Sequence, residues 1–173
     1  MNRSEIEGAL DELASELDRR GVTARIYLVG GAAMVLAYLS RFSTEDVDAN
    51  VHPTEDVLAV AEEIADRRGL GHGWLDNAVQ VYIPSAREPD WRPVSRVGSV
   101  EIAVADQRIM LAMKLRASRG RRDELDIEYL LRICGIASEH EALTLYEEYF
   151  PDDELPVRAR PMLQHALAKL TDE

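Results

Sequence analysis

Asp46 and Asp48 are, by type and spacing, the residues of this chain best suited to chemistry. They flank Val47 at the start of an apolar stretch that reads as a strand from Val47 to Val51. Side chains on a strand alternate with a period of two, so acids one residue apart share a face. Carboxylates held that close repel unless a cation lies between them. Aspartate is also depleted in strands, so the pair needs a reason. Either the segment is a solvated loop, or the two acids are hard oxygen ligands for Mg²⁺ or Mn²⁺. Magnesium keeps several waters and is held by one or two carboxylates together with substrate phosphates, which suits so sparse a donor set.

Gly30 and Gly31 stand upstream, between an apolar run ending at Val29 and a short helical pattern, Ala32 to Leu39. Glycine there admits a ligand close to the backbone, and a helix N-terminus favours phosphate. The same dipeptide also serves as a tight turn, and it gains specificity only beside the Asp-x-Asp. Arg41 and Thr44 lie in the intervening loop, either as phosphate contacts or, for Thr44, as a former of the turn. Further on, Lys114 sits among Met110, Leu111, Met113 and Leu115, at the edge of a buried face. Arg116, Arg119, Arg121 and Arg122 then concentrate positive charge. They read as a phosphate or RNA-backbone contact, or as a solvated helix end whose arginines Asp123 and Asp126 hold in place.

These residues must be positioned by ordinary elements. Ser4 to Arg20 reads as a helix, with Ile6, Leu10, Leu13 and Leu17 at helical spacing and Ser4 and Glu7 as its capping pair. Arg25 to Val29 reads as a buried strand. Glu55 to Arg68 is an amphipathic helix ended by Gly69. Val79 to Ile83 and Ser99 to Val104 read as strands, Gly71 to Asn77 as a loop, and the proline-rich Pro84 to Pro93 as an exposed connection. From Asp106 the pattern turns helical: Gln107 to Ser118, Asp123 to Cys134, Ser138 to Tyr149 and Pro156 to Leu170. The expected class is α+β: a mixed sheet flanked by helices over residues 1–105, then a helical part over 106–173 with a soft boundary.

The bulk numbers bound the function. A chain of 173 residues can bury a core without staples. Its 20 basic and 32 acidic residues give a net charge of −12, which argues against broad nucleic-acid binding and leaves room only for a local basic patch. One cysteine, Cys134, excludes an intramolecular disulfide and a multi-cysteine zinc site. The scattered histidines lack metal spacing. With no apolar leader and no long apolar run, the expectation is a soluble, cytoplasmic protein.

Taken together, Val29-Gly-Gly31, the spacer and Asp46-Val-Asp48 resemble the signature of the nucleotidyltransferase superfamily related to DNA polymerase beta. Within it, the chain is most similar to small bacterial proteins of the abortive-infection and toxin–antitoxin group. Trp74-Leu-Asp-Asn77 resembles a Trp-Leu-Asn-Asp element of theirs. The segment from Leu111 through Lys114, Arg119, Arg122 and Asp123 to Asp126 resembles their Ala-Met-Lys helix with its downstream Arg-Asp-x-x-Asp. The resemblance implies transfer of a nucleoside monophosphate from an NTP to a hydroxyl, on a tRNA 3′ end or a protein, with a cognate antitoxin as restraint. It implies Gly30 and Gly31 at the triphosphate, Asp46 and Asp48 on metal, Lys114 at phosphate and Asp126 closing the site. For the third carboxylate of superfamily polymerases, which is both metal ligand and base, the best-placed residue is Glu101, otherwise an exposed strand residue. The competing expectation is the same fold without turnover, as a nucleotide- or protein-binding module.

Overall fold

The structure is a computed structural model and describes residues 1–38, 42–84, 86–87 and 89–171. It is an α+β protein that divides into two compact units, Met1–Gln80 with Trp91–Ala105, and Val81–Asp90 with Asp106–Glu173.

The first unit is built on a five-stranded mixed sheet. Its strands are β1 (Ala24–Leu28), β2 (Val47–His52), β3 (Leu75–Asp76), β4 (Trp91–Val97) and β5 (Val100–Ala105), in the order β3-β2-β1-β5-β4. β1 runs antiparallel to β2 and parallel to β5; β3 is parallel to β2 and β4 antiparallel to β5. The period of two divides the sheet into a dry face and a wet one. Ala24, Ile26, Leu28, Val47, Ala49 and Val51 are buried, whereas Arg25, Tyr27, Asp48, Asn50 and His52 on the alternate positions are partly or fully exposed.

Helix α1 (Arg3–Arg19) buries Ile6, Leu10, Leu13 and Leu17, each worth about 1.5–3 kcal/mol when removed from water. It starts earlier than the Ser4–Glu7 pair predicts. Asn2 caps it by accepting from the Glu5 amide at 3.0 Å, while the Glu5 carboxylate accepts from the Asn2 amide at 2.7 Å. Glu7 instead pairs with Arg3. Helix α3 (Thr54–Arg68) packs against α1 and buries Val57, Val60, Ala61 and Ile64. Between β1 and β2 the chain forms a short helix α2 (Gly30–Ala33) that continues as a π-helical turn over Met34–Tyr38.

Three elements differ from the sequence expectation, and each has a local cause. The alternating run Val79 to Ile83 is a 3₁₀ turn, Ala78–Tyr82, rather than a strand. Asp76 accepts the Ala78 amide at 2.8 Å and starts that turn, an Asx contact that outcompetes strand pairing. The supposed loop before it contains β3. The proline-rich connection ends at an edge strand, β4, which tolerates Pro93 because the register is irregular between Pro93 and Ser95.

The second unit contains α4 (Gln107–Ala117), α5 (Arg121–Cys134), α6 (Glu139–Tyr149) and α7 (Ala159–Thr171). Asp106 caps α4 by accepting the amides of Arg108 and Ile109 at 2.7 and 3.2 Å. Ser138 and Glu141 form a reciprocal cap on α6. Among the described residues no helix is long and apolar enough to cross a membrane.

Candidate functional site

In the first unit, β1 ends at Leu28 and the chain turns at Gly30, whose φ of +60° lies in the left-handed region that disfavours a β-carbon. Beside it, the Val29 amide donates to the Asp48 carbonyl at 3.0 Å, so β2 is held against the turn. The Asp48 side chain lies over the bare backbone: a Cβ on Gly30 would fall 2.1 Å from Asp48 Oδ2. Glycine is therefore required there twice, by backbone angle and by space. The glycine turn and the second acid of the Asp-x-Asp lie side by side.

Asp46 does not share this environment. It lies in a bend before β2 begins and is exposed, so the alternation that aligns Asp48 with Asn50 and His52 does not extend to it as a strand residue. Asp46 lines a cavity of about 320 Å³ together with Glu45, His72 and Trp74. Trp74 itself is buried, with its indole N–H donating to the Ala61 carbonyl at 2.8 Å.

Sequence reasoning missed Asp76. It is the register partner of Asp48 on the parallel neighbour β3, which puts the two backbones about 4.8 Å apart with side chains on the same face. The signal was present in Trp74-Leu-Asp-Asn77, whose aspartate carried no role once the segment was read as a loop.

Glu101 is corrected by the register. On β5 it pairs with Arg25 of β1, which is opposite His52 of β2; the position level with Asp48 is occupied on β5 by Ala105. Four residues of strand, about 13 Å, separate Glu101 from the Asp48 row. Its carboxylate is paired with the Arg96 guanidinium. Thr44 is also displaced from the role of phosphate contact: it is buried, and its backbone exchanges hydrogen bonds with Met1. Arg41 and Leu39 lie outside the described residues.

In the second unit, α4 ends where Ser118 adopts a φ of +43°, and Gly120, at φ +125°, leads into α5. That reversal brings Asp123 and Asp126 back onto Lys114. Lys114 Nζ lies 2.8 Å from Asp123 Oδ1 and 2.9 Å from Asp126 Oδ2, and all three side chains are at most 5% exposed. Asp123 Oδ2 also accepts the Arg119 amide at 2.7 Å, with Arg119 Nε at 3.6 Å. Burial alone would raise the Asp123 carboxyl, but the Lys114 charge and hydrogen bond and the Arg119 contacts outweigh it and hold it below the ordinary range. The two aspartates thus hold Lys114, and Asp123 holds Arg119 as well. Lys114, expected at a phosphate, is already compensated inside the fold, while Arg119 and Arg122 are exposed. Cys134 is partly buried and its thiol is pushed up to about 11 by desolvation, which makes it a poor nucleophile.

Among the described residues no group of three or more His, Cys, Asp or Glu side chains is arranged to hold a metal ion. The pair Asp48–Asp76 nevertheless has the donor chemistry a hard divalent cation takes when phosphates supply further ligands. No family model, curated protein or solved structure matches the chain.

Proposed function

We propose that the protein is a nucleotidyltransferase that moves a nucleoside monophosphate from an NTP to a hydroxyl and releases pyrophosphate. The observation that carries this reading is the closure of the Asp48 carboxylate over Gly30 at the end of the sheet. A partly exposed acid beside a half-buried glycine at one point suits a ligand that is both phosphate-rich and cation-bound. The resemblance of Gly30-Gly31 and Asp46-Val-Asp48 to the superfamily signature supports the same reading.

On this reading Asp48 and Asp76 would hold Mg²⁺ or Mn²⁺, and the triphosphate would lie at the Gly30–Gly31 turn. The cation, when bound, neutralises phosphate charge and polarises the reacting phosphorus. The acceptor oxygen forms its bond to the α-phosphorus as the α–β bridge breaks. The electron pair leaves with pyrophosphate, and the acceptor proton passes to solvent. The protein's part is positioning: Gly30 leaves room for the Asp48 carboxylate, and the sheet fixes Asp48. By resemblance, the acceptor is a tRNA 3′ end or a protein side chain, and an antitoxin restrains the reaction.

A second reading, a nucleotide- or protein-binding module without turnover, is favoured by one observation: with Glu101 displaced and paired to Arg96, no third carboxylate stands in the Asp48–Asp76 row among the described residues. Calorimetry with each NTP and Mg²⁺, coupled to a pyrophosphate assay, separates the two. Binding with release of pyrophosphate supports transfer; binding without release supports the module; no binding of any NTP contradicts both nucleotide readings.

A further inference from the structure

The wet face of the sheet carries an aromatic pair to which the reaction above gives no part. Tyr27 of β1 and Trp91 of β4 stack with ring centroids 4.5 Å apart and planes inclined by 22°. β5 runs between their strands, so their backbones stand about 10 Å apart. The rings meet because the β5 residues beneath them are small: Tyr27 is in register with Ala103 and Trp91 with Ala105. Both alanines are fully buried, whereas both rings stay partly exposed. Trp91 covers one face of the Tyr27 ring from the β4 side, so the opposite face is the one left for a ligand.

The groups around Tyr27 follow one order along the strands. Gly30 and Gly31 lie beyond the end of β1, and Asp48 and Asp76 pair at the level of Val29. Tyr27 stands two residues further into the sheet, about 7 Å from that level. Its partner on β2 is Asn50, whose Oδ1 accepts from Gln80 Nε2 at 2.9 Å. That bond leaves the Asn50 N–H groups and the Gln80 carbonyl for a third group, a donor and an acceptor side by side. For a polynucleotide backbone the face is poorly equipped: among the described residues Arg96 is taken by Glu101, and Arg25 is the one arginine left. An aromatic surface beside a carboxylate pair suits instead a small ligand whose anionic end arrives with its own cation and whose other end is a flat ring.

We propose that Tyr27, backed by Trp91, is the base platform of the nucleotide site and selects purine NTPs. The purine stacks on Tyr27, the ribose spans the step from Tyr27 to Asp48, and Asn50 and Gln80 meet the base edge. The wider π-face of a purine gains more from the ring than a pyrimidine does, and amide side chains match the donor and acceptor of a purine edge. The proposal rests on the nucleotide reading above and adds which substrates that site takes. It needs binding only, so it holds with or without turnover.

The test is calorimetric titration of the four NTPs and of inorganic tripolyphosphate, each with Mg²⁺, into the wild type and its Tyr27 variants. ATP or GTP is expected to bind the wild type several-fold more tightly than either pyrimidine NTP. Tyr27→Ala weakens that purine NTP about tenfold or more and leaves tripolyphosphate unchanged, while Tyr27→Phe, which keeps the ring, retains most of the affinity. Trp91→Ala has a smaller effect of the same kind, since Trp91 acts through Tyr27. In the wild type the purine NTP changes tryptophan emission through Trp91, Trp74 being only 3% exposed, and tripolyphosphate does not. The proposal is overturned if pyrimidine NTPs bind as tightly as purine ones, if Tyr27→Ala leaves NTP affinity unchanged, or if it lowers tripolyphosphate affinity equally. Should Tyr27→Ala fail to fold, wild-type emission that responds alike to purine NTP and tripolyphosphate overturns it alone. NTP binding that survives Tyr27→Ala removes the platform and keeps the nucleotide site; no NTP binding by the wild type contradicts both.

Discussion

The Asp48 carboxylate occupies the space that a side chain at position 30 would fill, with a hypothetical Gly30 Cβ only 2.1 Å from Asp48 Oδ2. Gly30→Ala tests this contact directly. The left-handed backbone costs roughly 1–2 kcal/mol, and displacement of Asp48 adds to it. Denaturant unfolding should show that loss, and calorimetry of the folded variant should show NTP·Mg²⁺ affinity falling with it. A variant of wild-type stability and affinity would mean that the turn is not tied to Asp48.

The strand register separates the acids into one pair and one outlier. Asp76→Asn should weaken metal-dependent nucleotide binding by at least the 10–100-fold that even an outer-shell partner costs. Glu101→Gln should leave it unchanged and cost under about 1 kcal/mol of stability, because it removes only a solvent-facing ion pair with Arg96. Titration of Mn²⁺ into the two variants with NTP present distinguishes them. The opposite ranking would restore Glu101 to the site.

Lys114 is expected to matter for folding. Replacing it with alanine leaves Asp123 and Asp126 buried without their cation, a loss on the order of 3–5 kcal/mol. The measurement is denaturant unfolding of Lys114→Ala. Unchanged stability with a raised KM for NTP would instead show the lysine acting on substrate.

The same group gives a pH dependence. Asp123 is held below its ordinary value of 3.8, so its folded carboxyl binds protons less readily than the unfolded one. Its contribution is therefore fully present above 3.8 and is lost as pH falls through the lowered folded value. Unfolding midpoints measured from pH 6 downward should fall more steeply below about 4 in the wild type than in Asp123→Asn, which starts lower at neutral pH. Parallel profiles would remove Asp123 from the account.

Helical elements were legible in the sequence because their apolar residues recur at a single spacing, as Ile6, Leu10, Leu13 and Leu17 do in α1. The sheet was legible where short β-branched or apolar runs stood between turn residues, in β1, β2 and β5. It failed at Val79 to Ile83, where alternation was real but Asp76 started a turn, and at β4, where Pro93 disguised an edge strand. Asp48 beside Gly30 was anticipated only through the resemblance of Gly-Gly and Asp-x-Asp to a known signature, since the contact depends on the β1–β2 pairing. The Asp48–Asp76 pairing, the displacement of Glu101 and the closing of two aspartates on Lys114 depend on register or on a reversal between helices, which no local pattern encodes.

The central claim is transfer through the Gly30–Asp48 site, and the most direct measurement is label transfer from α-labelled NTPs. Each of the four is incubated with Mg²⁺, total RNA and protein acceptors, using wild type and Asp48→Asn. The account predicts that at least one NTP labels an acceptor with the wild type, that chelation of the metal abolishes labelling, and that Asp48→Asn reduces it by a factor of at least about 100, the scale of a lost electrostatic contact in catalysis. Labelling that persists in Asp48→Asn, or its absence from the wild type with every NTP and acceptor, would contradict it.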